Sequence, residues 1–540
     1  MGESLQSKKE TFMKKRVLFF GVMALLVSAA LCGCSGGKST EASKPVKNSS
    51  EEAPAGSAAV SGMTGTAEAA EPAHGGSAVV GVTHELVSLD PHQSTDARTR
   101  SVVFNLYEGL VKPDPDGNLI PAVASDYEIS DDATVYTFTL RDGVKFHDGT
   151  TVTAEDVKYS IERYAEIQGE SSAFSVFDHV EIPDEKTVEI YLKEGYSEFL
   201  PEITFGIIPR SNPDPEKNPV GTGPFCFVSY TPGQKLEVER FGDYWQEGLP
   251  YLDHVEFKIT ADADTAFMEL QAGTIDILDF LTGAQAKAAG EGCQILEGTQ
   301  NMVQGMFLNH SYGPLSSLKV RQAVCYAVNK EEINQFLYDG RSYLIGSHMV
   351  PRLVRYYEPA PEALYPYDME KARELLAEAG YPDGFDLEIV ATTASTQYMD
   401  AAQIIADQLS RVGIRATIRP VEWSTWLDEV YRGRQFQATV VGFDGTLAPN
   451  YWMMRYTTGH SKNFMNYSNA EYDETCQKAL MTVDDREKAE LYKRCQMILA
   501  EDAESVFIQD PANYVAVNRR LGGYVFYPLS AQDMSVVYEK

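Results

Sequence analysis

From residue 77 onward, apolar residues recur with two periods. Ala78–Val82 is a short apolar run that reads as a buried strand. Thr134–Leu140 alternates, with Tyr136, Phe138 and Leu140 on one face, and Thr187–Leu192 alternates through Val188, Ile190 and Leu192. Leu236–Arg240 and Val255–Ile259 alternate likewise, so all four read as strands with one buried face. Helical spacing is interleaved with them. Thr153, with Asp156 three residues on, forms a capping box ahead of a stripe through Val157 and Ile161. Val320–Val328 keeps helical spacing, and Asp368 opens a helix that stops at Gly380. Ala401–Val412 buries Ile404, Ile405, Leu409 and Val412, stops at Gly413, and leads into a strand over Ile414–Ile418. Two long helices follow, Ala470–Met481 and Asp485–Glu501. This predicts an α/β protein of more than one lobe, with the richest αβ units between about 305 and 505. Val515–Tyr527 returns to short strand-like segments that pack back on the first lobe.

The first 76 residues follow neither pattern. The longest apolar run, Val17 to Leu31, is about 15 residues, short of the ~20 a spanning helix needs. Lys8, Lys9, Lys14, Lys15 and Arg16 precede it and Ser28, Ala29 and Ala30 follow, the layout of a secretory signal. Leu31-Cys32-Gly33-Cys34 resembles the lipobox of bacterial lipoproteins, which implies cleavage after Gly33, over residues 1–33, and lipid on Cys34. The alternative is a plain secretory signal with two incidental cysteines. Residues 34–76 are rich in Ser, Gly, Ala, Glu and Pro and read as a disordered tether spanning about 35 Å. The expected location is the outer face of the cell membrane.

The formal charge is −32. Residues 1–33 carry five basic and two acidic residues, so the remainder stands near −35. Such a chain is repelled by nucleic acid, and acidity alone does not identify a ligand. Beyond Cys32 and Cys34 lie Cys226, Cys293, Cys325, Cys476 and Cys495, an odd number. Cys476 and Cys495 fall on consecutive predicted helices and could meet; buried free thiols are the simpler reading. Enzyme signatures are missing: no G-x-S-x-G elbow, H-E-x-x-H helix or complete phosphate loop occurs. Gly37-Lys38-Ser39 ends like a phosphate loop but lies in the tether. Asp114-Pro115-Asp116-Gly117-Asn118 starts like a calcium loop without its later ligands and reads as a turn. His147 reads as a turn residue. The histidines are dispersed, and neither a metal site nor a cofactor is expected.

A series of longer motifs carries a resemblance. It begins with Asn105-Leu106-Tyr107-Glu108-Gly109-Leu110, Tyr136 through Gly149, and Thr153-Ala154-Glu155-Asp156-Val157. Gly221-Thr222-Gly223-Pro224-Phe225, Tyr244-Trp245 and Gln271-Ala272-Gly273-Thr274-Ile275-Asp276 follow. Val320-Arg321-Gln322-Ala323-Val324, Gly380-Tyr381-Pro382-Asp383-Gly384-Phe385 and Asn466-Tyr467-Ser468 complete it. In this order they resemble family 5 of the bacterial extracellular solute-binding proteins, the oligopeptide, dipeptide and nickel-chelate receptors of ABC importers. The resemblance covers about residues 78–540.

It implies a two-lobed, periplasmic-binding-protein-like α/β fold of the large class, with an extra domain in lobe I. Lobe I is expected over 77–304, lobe II over 305–506, and a return to lobe I over 507–540. The hinge crossings are expected near Met306–Asn309 and Phe507–Asp510. Ligand would bind between lobes that close on it, with no covalent change, and a monomer would pass it to a permease with its ATPases. The implied site lies between Glu422 and Asn450. Trp423 matches a tryptophan that floors a side-chain pocket, and Gly442-Phe443 matches a Gly-Trp pair at the cleft. The aspartate that holds a peptide's ammonium end falls, counted without gaps, on Thr446, while Asp444 stands two residues earlier. Asp444 either takes the ammonium group or caps a turn with Gly445. Tyr107, Arg434 and Tyr451 are further pocket candidates, and Arg321 is expected to anchor a helix. The leading cargo is a di- or oligopeptide. The alternatives are an oligosaccharide or metal chelate, a surface hydrolase, and a signalling or adhesion protein on the receptor fold.

Overall fold

The computed structural model describes residues 72–540 except 95, 170–172, 261 and 530. The signal, Cys34 and nearly all of the tether lie outside the described residues. Three sheets organise the rest. Lobe I holds a seven-stranded mixed sheet in the order Cys293–Thr299, Ala512–Asn518, Ile277–Leu281, Ser77–Val82, His254–Ile259, Lys235–Arg240, Phe225–Thr231. A four-stranded antiparallel sheet is inserted into it: Ala124–Ile129, Val135–Leu140, Thr187–Leu192, Phe177–Asp184. This extra domain buries Tyr136, Phe138, Val188 and Ile190 against the helix Ala154–Gln168. Thr153 caps that helix, and the Asp156 carboxylate returns a bond to the Thr153 N–H.

Lobe II is built on a six-stranded sheet in the order Tyr343–Leu344, Val506–Asp510, Met302–Leu308, Ala438–Asp444, Asp386–Thr392, Arg415–Val421. Its central strands are buried on both faces. Val303, Phe307, Val390 and Val441 enter one core, while Met306, Leu308, Ile389 and Val440 enter the other. Double burial removes the alternation that marks a half-exposed strand, so Asp386–Thr392 and Ala438–Asp444 carry no period-2 signal. Helix Thr396–Ser410 links the parallel pair Asp386–Thr392 and Arg415–Val421 through Gly413, whose φ is +91°. Arg321 is 6% exposed and gives its guanidinium to the carbonyls of Leu315, Ser316, Asp502 and Ala503, clamping helix Leu318–Ala327. The helices Ala470–Met481 and Asp485–Glu501 lie where the spacing places them.

The chain crosses between the sheets twice. The first crossing is Gln300–Asn301, between strands Cys293–Thr299 and Met302–Leu308. The second is Pro511, between Val506–Asp510 and Ala512–Asn518. The first therefore lies ahead of the Met306–Asn309 segment expected to carry it, and that segment is lobe II strand. The Phe507–Asp510 segment is also lobe II strand, ending one residue before its crossing. The crossings are tied together: Gln300 N–H donates to the Pro511 carbonyl (2.8 Å) and Met302 N–H to Asp510 Oδ1 (3.0 Å).

Candidate functional site

Several family motifs converge on one structural node. Gly223 N–H donates to the Leu106 carbonyl (3.1 Å) and Phe225 N–H to that of Asn105 (3.1 Å). A Cβ on Gly223 would stand 2.5 Å from the Leu106 carbonyl carbon, so only glycine fits. His147 clamps the same turn: Nδ1 accepts from Gly221 N–H (3.2 Å) and Nε2 bonds the Gly223 carbonyl (3.0 Å). Burial lowers its pKa to about 4, so the imidazole is neutral. Glu108 takes bonds from Tyr244 Oη and Trp245 Nε1 (both 2.5 Å) and pairs with Lys112. Tyr107 lies inside this node, 6% exposed, its hydroxyl donating to the Leu89 carbonyl (3.1 Å). The Asp114 carboxylate accepts from Asp116 N–H, Asn118 N–H and Asn118 Nδ2, which makes that segment a turn.

Strand Ala438–Asp444 runs antiparallel to Met302–Leu308, pairing Asp444 with Met302, the first residue past the crossing. The strand end therefore emerges beside the hinge. Gly442 is pinned there, because a Cβ would meet Met302 Sδ at 2.3 Å and Tyr398 Oη at 2.8 Å. Asp444 is exposed and its carboxylate makes no hydrogen bond or ion pair among the described residues, so no side-chain capping bond ties it to the Gly445 turn. Trp452 lies against Gly445, and its Nε1 donates to the Thr446 carbonyl (2.9 Å). Thr446 Oγ1 accepts from Ala448 N–H (3.2 Å), so this side chain shapes the loop.

Behind the loop stands an aromatic wall. Phe443 packs edge-on to Phe307 (5.0 Å between centroids) and near Phe464 (5.8 Å). Trp423 is 43% exposed and stacks on buried Trp426 at 5.0 Å with 4° between planes. Trp426 begins a π-helical turn, Trp426–Arg432. Arg455 Cζ lies 4.3 Å from the Phe443 ring centroid and 6.0 Å from that of Tyr451, and Lys462 Nζ is 4.3 Å from the latter. Burial, then Arg455, lowers the Lys462 pKa, while Glu202 of lobe I raises it. Arg434 is engaged elsewhere, donating to Asn466 Oδ1 (3.0 Å). Sequence patterning missed Arg455. Its signal was a lone charge in the run Tyr451-Trp452-Met453-Met454-Arg455-Tyr456.

Lobe I reaches the other side of the loop. Glu198, 2% exposed, accepts from Asn450 N–H (2.8 Å) and from the Tyr492 hydroxyl. Beside these contacts is a cavity of about 610 Å³, lined by Asn118, Tyr127 and Glu198 from lobe I and by Arg355, Leu447 and Lys488 from lobe II. None of Trp423, Phe443, Asp444, Thr446 and Tyr107 lines it. Among the described residues, no group of three or more His, Cys, Asp or Glu side chains could hold a metal ion.

Two α/β lobes joined by two short crossings, with an aromatic and charged loop at their seam, define a solute-binding receptor. The family model for bacterial extracellular solute-binding proteins, family 5 Middle, matches residues 118–465, and the chain belongs to that family. It is a binding receptor of an ABC importer, working outside the cytoplasm, and not an enzyme. The chain is 29% identical over 478 residues to the glutathione-binding protein GsiB of Pectobacterium atrosepticum, covering 84% of this chain and 92% of the relative. HbpA2 of Haemophilus parasuis aligns with a TM-score of 0.78 and 25% identity over 86% of this chain and 100% of that one. DppA of Helicobacter pylori, in complex with the peptide STSA, aligns with a TM-score of 0.66 and 25% identity over 86% and 98%. No helix among the described residues is long and apolar enough to cross a membrane.

Proposed function

We propose that this protein is a lipid-anchored receptor that captures a small peptide between its lobes and delivers it to an ABC permease. The observation that carries the cargo reading is Asp444: an exposed, unpaired carboxylate at a strand end beside the hinge, next to an aromatic wall. A peptide's ammonium group is the natural partner for such a carboxylate, and lobe closure would strip water from the pair. Trp423 and Phe443 would take side chains, and Thr446 would hold the loop that presents them. Tyr107, buried in lobe I with its hydroxyl on the Leu89 carbonyl, would support the node and not touch the cargo. A relative named as a glutathione-binding protein and a structural neighbour holding the peptide STSA are consistent with this cargo.

Thermal-shift titration of the purified protein against glutathione, short peptides, oligosaccharides and metal chelates tests the reading, because a ligand of the native state raises the melting temperature by mass action. Peptides should shift it. No peptide shift beside a clear sugar or chelate shift would replace the cargo assignment. The anchor is tested separately: Cys34→Ala should release the protein from membranes and remove the lipid mass from its N-terminal peptide.

A further inference from the structure

Arg455 is only 2% exposed, yet its Nε and Nη1 have no hydrogen-bond partner. No carboxylate pairs with it among the described residues. A guanidinium stays charged at any pH the fold survives. A buried charge without a partner is destabilising and calls for an explanation.

The titratable groups that feel Arg455 supply no anion. Burial, and then Arg455 itself, hold the His348 imidazole well below its ordinary value, hence neutral. Burial, Lys462 and Arg455 lower His460. Burial raises the phenols of Tyr431 and Tyr456. Lys462 adds a second positive charge. Glu504, fully buried with Oε1 3.7 Å from His310 Nε2, is pushed up to about 8 by burial, against Ser505 and Arg321, and so is mostly protonated at neutral pH. The two cations lie over the half-buried rings of Phe443, next in the chain to exposed Asp444, and of Tyr451, and Lys462 feels Glu202 of lobe I.

We propose that Arg455, with Lys462 beside it, is the seat for a carboxylate of the cargo, so that this receptor selects anionic solutes. The proposal rests on the reading that cargo enters at the 444–450 loop. Stacked on Phe443, the guanidinium keeps its edge for a carboxylate, which would take the Nε and Nη1 donors. Asp444 and Arg455 would then mark the two ends of a zwitterionic or acidic ligand.

The test uses the full protein, Arg455→Met and Lys462→Met, with calorimetric titration of reduced glutathione and of its dicarboxamide. The wild type should bind glutathione at least tenfold more tightly than the diamide. Arg455→Met should weaken glutathione tenfold or more and leave the diamide unchanged; Lys462→Met should weaken glutathione severalfold. Without ligand, Arg455→Met should melt no lower than the wild type, because an unpaired buried charge has gone. A large drop in melting temperature, or failure to fold, would mean that Arg455 is structural and would overturn the proposal. Equal wild-type affinity for acid and diamide, or a preference that survives in Arg455→Met, would overturn it too. If neither compound nor any peptide binds, the peptide reading fails, and glutarate at fixed ionic strength then tests the seat alone. A thermal shift in the wild type that Arg455→Met abolishes supports it; no shift, or the same shift in both, ends it.

Discussion

Glu198 of lobe I accepts a hydrogen bond from the backbone N–H of Asn450 in lobe II, at 2.8 Å. The contact joins the extra domain to the loop that carries Asp444. Lobe II closes around the same carboxylate with the Tyr492 hydroxyl, while Lys488 Nζ donates to the adjacent Ser197 carbonyl (3.0 Å).

Burial pushes the Glu198 carboxyl up to about 7, against Lys488 and its hydrogen bonds, which lower it. The folded-state pKa is thus raised above the unfolded value. Its contribution is fully present below about pH 4.5 and is lost as pH rises through about 7, a change on the order of 3 kcal/mol. Glu198→Gln keeps an acceptor for Asn450 and removes the titration. Melting temperatures between pH 5 and 8 should fall less steeply in the variant than in the wild type.

Asp444→Ala should weaken a peptide with a free ammonium end by more than tenfold and leave its N-acetylated form unaffected. Calorimetric titration with the two forms separates charge pairing from loop disruption, because a misfolded loop would weaken both.

Gly223→Ala should destabilise lobe I without touching the ligand loop. The added methyl would meet the Leu106 and Asn105 backbone at 2.5–2.7 Å. Neither backbone segment can retreat without breaking bonds in the node, so a loss of about 1–3 kcal/mol is expected in urea denaturation.

Cys476 and Cys495 are free thiols buried in one core. The neighbouring Cys476 first, and then burial, hold the Cys495 thiol far above its ordinary value, and burial pushes Cys226 and Cys325 up to about 12. Thiolate is the reactive form, so native protein at pH 8 should label slowly with iodoacetamide at all three. Mass spectrometry should find rapid labelling only after denaturation.

The sequence carried those parts of the fold that depend on local rules. The capping box at Thr153 and the apolar stripes of Ala470–Met481 and Asp485–Glu501 place helices directly. The glycine-rich motifs mark a node where backbones touch, which explains their specificity without making them ligand contacts. Two-faced burial hid Asp386–Thr392 and Ala438–Asp444. The first crossing escaped because nothing local distinguishes Gln300-Asn301 from an ordinary turn; only the change of sheet partner does. In the site, Asp444 closes strand Ala438–Asp444, and the isolation of Arg455 depends on which side chains surround it in space.

Near its first described residues the chain is fastened to lobe I. Ala73 bridges to Glu539, and Gly75 N–H donates to the Tyr251 carbonyl (2.8 Å). The polypeptide ahead of this point therefore leads into lobe I, the lobe that carries Glu198 and Glu202, and reaches lobe II only through the two crossings. The aromatic wall and Arg455 belong to the lobe with no such fastening to the first described residues.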